Sequence, residues 1–272
     1  MMRDVNTWRL WARDAARLAA ASYGSASEWD RYCRGPEVEF ETTAWCESGP
    51  TQVPMALSSA CIAIVPRGSD AAADWRDNFN SWRVPWPGTV TGRVNYGHLR
   101  QVRRVEEQFL VAIRNATEQF PEAEIWVIGH SLGGVLAALL CAVLRREGYV
   151  PNRAWGFGMP RPGNEAFAEW FDAEFPFFER VVLVEPNGHQ DVITRLPPSA
   201  FGWRHVSKRL RIIHDGRVYV SEWDWQRFRR EWIVDPVKAF FIATRLRRAI
   251  SAHSSQNMVQ ELSQRLVLAE ER

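Results

Sequence analysis

The segment EIWVIGHSLGGVLAALLCAVL, residues 124–144, constrains the fold of this chain more than any other stretch. It opens as a short apolar, strand-like run and closes as a long apolar segment with no polar face. A helix that is apolar all round must be covered on every side, and a strand without alternation must be covered on both faces. Such a pair belongs to a parallel sheet sandwiched between helices. Between the two runs lie Gly129, His130, Ser131, Leu132, Gly133 and Gly134. They place a hydroxyl among glycines at the point where a buried strand turns into a buried helix.

That spacing, G-x-S-x-G, is the form of a nucleophile elbow. Gly129 and Gly133 supply the clearance that a sharp turn needs, and Ser131 is held above the sheet. A helix N-terminus carries unpaired N–H groups and partial positive charge, so the Leu132 N–H points to where an oxyanion would form. A phosphate-binding reading is weaker, because no GxxxxGK[ST] run is present. A serine hydroxyl needs a base, and the base needs an orienting carboxylate. In the order Ser, acid, His, the segment PNGHQDVITRLPP contains Asp191 as its only carboxylate, with Glu185 at the preceding strand end as the alternative. Three histidines follow: His205, His214 and His253. His214 precedes Asp215-Gly216 in an expected hairpin turn. His253 stands in a polar break, SAHSSQN, after all the strands, where a ring can swing over the sheet edge.

Along the chain, helical spacing is expected over 4–22, 99–113, 132–147 and 164–173, with further helices near 235–249 and 254–268. Strands are expected at 37–45, 56–65, 124–129, 153–158 and 180–185, and a hairpin at 211–220. Strands alternating with helices of this length argue for one α/β domain over residues 1–272.

The formal charge of +2 over 272 residues, with signs interleaved, calls for no nucleic-acid partner. The four cysteines show no zinc spacing; Cys61 and Cys141 read as buried apolar residues, and Cys33 and Cys46 flank an expected strand and are candidates for pairing. No metal or organic cofactor is expected. The first 24 residues have charges in every apolar run, and no 18-residue apolar span follows. The expectation is a soluble chain without a transmembrane segment, cytoplasmic or exported by a signal-independent route.

Five segments, in order, resemble the class 3, or fungal-lipase-like, serine esterases of the α/β-hydrolase superfamily. They are PRGSDAAADW (66–75), GRVNYGHLRQV (92–102), GHSLGG (129–134), FGMPRPGN (157–164) and DVITRLPP (191–198). The second departs from the family, with Asn95 where histidine is usual and His98 where phenylalanine is usual. The resemblance implies an α/β-hydrolase fold with a mostly parallel sheet flanked by helices. It implies Ser69 as the oxyanion-loop residue beside Leu132, and a small lid after it, with Trp75 and Phe79 on one helix face. It also implies a structural role for His205, and a C-terminal histidine stretch in which His253 is the base. The activity implied is hydrolysis of acylglycerols, phospholipids or simple esters through an acyl-serine, with transient lipid-surface contact. Acyl transfer to an alcohol would use the same triad.

Overall fold

The computed structural model describes residues 5–36, 38–68, 82–87, 89, 91–184, 191–214 and 217–221. Ser69, the lid residues Trp75 and Phe79, Glu185, His253 and both expected C-terminal helices lie outside the described residues.

The frame is an eight-stranded sheet in the order β1-β2-β3-β6-β7-β8-β9-β10. Its strands are β1 (Thr42–Ser48), β2 (Thr51–Leu57), β3 (Cys61–Ile64), β6 (Glu124–His130), β7 (Arg153–Phe157), β8 (Phe178–Val184), β9 (Arg209–His214) and β10 (Arg217–Ser221). A separate small hairpin joins β4 (Arg83–Pro85) to β5 (Arg93–Asn95). The middle of the large sheet, β3-β6-β7-β8-β9, is parallel throughout. Antiparallel pairs close it at both edges.

Helices α1 (Val5–Ala21) and α2 (Ala26–Cys33) cover one face. Helices α3 (Tyr96–Gln119), α4 (Leu132–Arg146) and α5 (Glu165–Glu174) cover the other. Strand β6 shows why both faces need cover. Ile125 and Val127 join the core under α3 and α4, while Trp126 and Ile128 join the core under α1. Period-two alternation thus turns an apolar run into two buried faces. Helix α4 is buried at every position from Leu132 to Leu144, as its composition requires.

Two expectations about the first strands are corrected. The run 56–65 is not one strand. It breaks at Ser58-Ser59, where the Ser58 N–H donates to the Cys61 carbonyl at 2.9 Å and the Ser58 hydroxyl caps the same turn. Its halves belong to β2 and β3, paired antiparallel. The strand expected at 37–45 is β1, shifted to 42–48, where it forms a hairpin with β2 across Gly49 (φ 59°) and Pro50. Cys33 and Cys46 are both free and buried. Cys33 packs in the core on the α1 side of the sheet and Cys46 in the core on the α3 side, so the sheet itself separates the two thiols.

Candidate active site

The parallel strands β6, β7 and β8 deliver their chain ends to one edge of the sheet. At the end of β6, Ser131 sits at φ 57° and ψ −126°, a conformation that non-glycine residues rarely adopt. The turn is tight on every side. A Cβ on Gly129 would lie 2.1 Å from the Gly133 oxygen, and one on Gly133 would lie 2.2 Å from the Pro66 oxygen. The Ser131 N–H donates to the Phe157 carbonyl at the end of β7 (2.9 Å), and the Ser131 carbonyl accepts from the Gly134 N–H (3.0 Å). The backbone is therefore pinned while the side chain is not. Ser131 is 1% exposed, and among the described residues its Oγ has no hydrogen-bond partner. Leu132 is the first residue of α4, so its N–H has no acceptor within the helix. A buried hydroxyl beside an unpaired N–H at a helix N-terminus is arranged for nucleophilic attack with a donor ready for the developing negative charge.

Asp191 comes seven residues after the end of β8, a strand that lies two strands, or roughly 10 Å across the sheet, from β6. It caps the 3-10 turn Val192–Arg195, with Oδ1 accepting the Ile193 N–H at 2.9 Å. Long-range bonds fix this turn in place. The Arg161 N–H donates to the Leu196 carbonyl (2.7 Å), and Arg161 Nη1 donates to the carbonyls of Arg195 and Pro197, the latter at 2.8 Å. His205 Nε2 donates to the Thr194 carbonyl at 2.7 Å, which places the proton of the neutral ring on Nε2.

This support is cationic and buried. Desolvation lowers Arg161 to about 10, with the charges of Arg204 and Arg195 adding to it, and lowers Arg180 of β8 to about 9, with the charge of Arg161 adding to it. His205 is held well below the ordinary histidine value, first by burial and then by the charges of Arg180 and Arg161. It is neutral at physiological pH, and one ring nitrogen is engaged beneath the acid-bearing turn. His214 pairs with Arg217 across the β9–β10 hairpin. The departure at Asn95 also has a local explanation. Asn95 is the N-cap of α3 and accepts the His98 N–H at 3.3 Å, while His98 is buried and lowered to about 3 by desolvation. Among the described residues, no group of three or more His, Cys, Asp or Glu side chains is placed to hold a metal ion. None of the described helices is long and apolar enough to cross a membrane.

Two residues around this site were not singled out from the sequence. Arg161 lies within the quoted segment FGMPRPGN, but spacing alone does not reveal that its fork reaches carbonyls 34 and 36 residues away. Tyr23 carries no local signal at all. It comes to the elbow only through folding, with its hydroxyl 3.0 Å from His130 Nδ1.

A family model described as Lipase (class 3) matches residues 63–201, just over half of the chain. Among curated proteins, a lipase of Rhizomucor miehei is 31% identical over 156 residues, covering 56% of this chain and 41% of that protein. The secreted mono- and diacylglycerol lipase 1 of Fusarium solani is 32% identical over 146 residues, covering 54% and 42%. The chain thus aligns with about two fifths of the length of these relatives. Among solved structures, lipase II from Rhizopus niveus superposes with a TM-score of 0.67 at 20% identity, over 81% of this chain and 86% of that one, which establishes a shared fold. The expectation of a cytoplasmic or signal-independently exported protein is corrected by the relatives from Fusarium solani and Penicillium cyclopium, which are named as secreted lipases.

Proposed function

The chain belongs to the class 3 lipase family, and from that premise we propose that it hydrolyses carboxylic esters of lipids through an acyl-serine. Ser131 is the nucleophile. Asp191 orients a histidine, for which His253 is the candidate, and the Leu132 and Ser69 N–H groups hold the oxyanion. The histidine accepts the Ser131 proton as Oγ bonds to the carbonyl carbon, then returns it to the departing alcohol as the ester C–O bond breaks. Water, deprotonated by the same histidine, attacks the acyl-enzyme and releases the acid. The relatives described as mono- and diacylglycerol lipases support acylglycerols as the substrate class, and their description as secreted supports export. Transient contact with a lipid surface, and one domain across residues 1–272, belong to the same proposal. Phospholipase A1-type hydrolysis and acyl transfer to an alcohol are the alternatives that the same triad serves. An added alcohol appearing in the product would mark transfer.

The observation that carries this reading is Ser131 itself. It is a non-glycine residue at φ 57°, buried between glycines that admit no side chain, and its hydroxyl is unbonded among the described residues. The test is a fluorophosphonate probe together with a p-nitrophenyl ester series from acetate to palmitate. The probe should label Ser131 alone, and Ser131→Ala should lose about 10⁴–10⁶ in turnover while remaining folded. Labelling at another serine, or a tenth of wild-type activity in Ser131→Ala, would refute it. Alanine variants of His205, His214 and His253 assign the base. His253→Ala should fall to background with its melting temperature unchanged, and an active His253→Ala would move the assignment elsewhere.

A further inference from the structure

Tyr23 lies in the turn after α1, outside the segment that matches the family model, and is 6% exposed. Its hydroxyl is 3.0 Å from Nδ1 of His130, the residue immediately before the elbow serine, and the two rings meet edge to face at 6.0 Å. The same oxygen packs directly against Gly68, the residue immediately before Ser69. Nothing larger than glycine fits there, since a Cβ on Gly68 would lie 2.1 Å from the Tyr23 oxygen and 2.8 Å from the His130 carbonyl oxygen. Arg67 braces the assembly. Its guanidinium stands 5.7 Å from the Tyr23 ring centroid, and it is tied to Gln52 through both backbone (3.0 Å) and side chain (2.7 Å).

We propose that Tyr23 is a positioning residue of the ester-cleaving site. Its hydroxyl ties the elbow at His130 to the chain at Gly68, and so sets how that segment stands against the Leu132 N–H. The inference rests on the serine-hydrolase reading above. Gly68 and Leu132 are more than 60 residues apart in sequence, so their spacing depends on whatever joins the two segments. Preorganised donors stabilise a tetrahedral intermediate more than a ground-state ester, and small misplacements are costly in turnover. A side chain that sets donor spacing therefore shows itself in kcat rather than KM.

The experiment is Tyr23→Phe, which keeps the ring and removes the bridging oxygen, assayed on p-nitrophenyl butyrate. kcat should fall by about 10- to 100-fold, with KM within about threefold of wild type and fluorophosphonate labelling of Ser131 slowed by a similar factor. Circular dichroism and the melting curve report the folded fraction. His130 gives an independent arm. His130→Leu removes the hydroxyl's partner and should match the loss in Tyr23→Phe, whereas His130→Asn returns a hydrogen-bonding amide near the Nδ1 position and should recover most of it. A Tyr23→Phe enzyme with wild-type kcat, or one whose loss merely tracks unfolded protein, would overturn the inference, as would equal losses in His130→Asn and His130→Leu. Wild-type protein that neither turns over any ester nor reacts with the probe would remove the underlying reading, and this inference with it.

Discussion

The elbow after β6 and the acid-bearing turn after β8 stand at the same edge of one sheet, yet they are held in opposite ways. In the elbow, the shape-determining contacts lie within a few residues. Gly129 meets the Gly133 backbone and the Ser131 carbonyl accepts from Gly134, while the seat on Phe157 and the close approach of Gly133 to the Pro66 oxygen come from further away. In the acid-bearing turn, the local contributions are the Asp191 cap and the bonds from Thr194 to the Asp191 carbonyl, and the position comes from Arg161 and His205, whose bonds span 34, 36 and 11 residues. A strained backbone dictated by glycines can be written in six consecutive letters. A loop suspended from buried cations cannot, because the cations are specified elsewhere in the chain.

The largest expected effect separates strain from chemistry within the elbow. Ser131→Gly should abolish turnover, a loss of at least about 10⁴-fold. It should also raise stability by about 1 kcal/mol, because glycine enters the φ 57° conformation without the steric cost that serine bears. A melting temperature that fell in this variant would show that the elbow is not strained. Next, Gly129→Ala should cost about 3 kcal/mol or more, since its Cβ would fall 2.1 Å from backbone that cannot move independently. A soluble, fully active Gly129→Ala enzyme would break the account of the turn.

The acid-bearing turn should respond less in stability and more selectively in activity. Arg161→Ala removes a charged donor from two carbonyls and should cost about 2 kcal/mol, with turnover down by about 10- to 100-fold as Asp191 loses its place. Arg161→Lys should rescue little, because a single ammonium does not reproduce the planar fork. Activity at wild-type level in either variant, measured on a short-chain ester, would separate Asp191 from this support.

The smallest effect concerns pH. The folded His205 value lies well below the unfolded value of about 6.5. As pH falls through 6.5, the unfolded chain takes up a proton that the folded chain refuses beside Arg161 and Arg180. The unfolded state then binds more protons, so stability decreases with falling pH, by up to about 1.4 kcal/mol per pH unit from this group. Urea unfolding between pH 7 and 4.5 should therefore show a shallower slope in His205→Gln than in wild type. Identical slopes would mean that His205 charges freely.

The unbroken apolar run of β6, the apolar α4 and the GHSLGG turn were legible because each is a property of neighbouring residues. Period-two burial, all-round burial and backbone clearance are set by side chains a few positions apart. The same local logic singled out Asp191 as the only carboxylate in PNGHQDVITRLPP, with Glu185 before it as the alternative. It failed at 56–65, where a continuous apolar run fits one buried strand or two, and only pairing between β2 and β3 decides which. The capping box of α2, Ser25 with Glu28, was present in the sequence as S-x-x-E and marks a helix that the periodic reading passed over.

What the sequence determined by itself is therefore the layered α/β architecture and a serine poised at a helix N-terminus, since both follow from burial and sterics along the chain. The tertiary structure alone decided which distant groups serve that serine's surroundings. It put Cys33 and Cys46 on opposite sides of the sheet, hung the acid-bearing turn from Arg161 and His205, and brought Tyr23 between His130 and Gly68. Hydrophobic pattern tells a residue which face to bury but not which partner it will meet there. A hydrogen bond between groups 107 positions apart, such as Tyr23 to His130, exists only once the packing has closed around it.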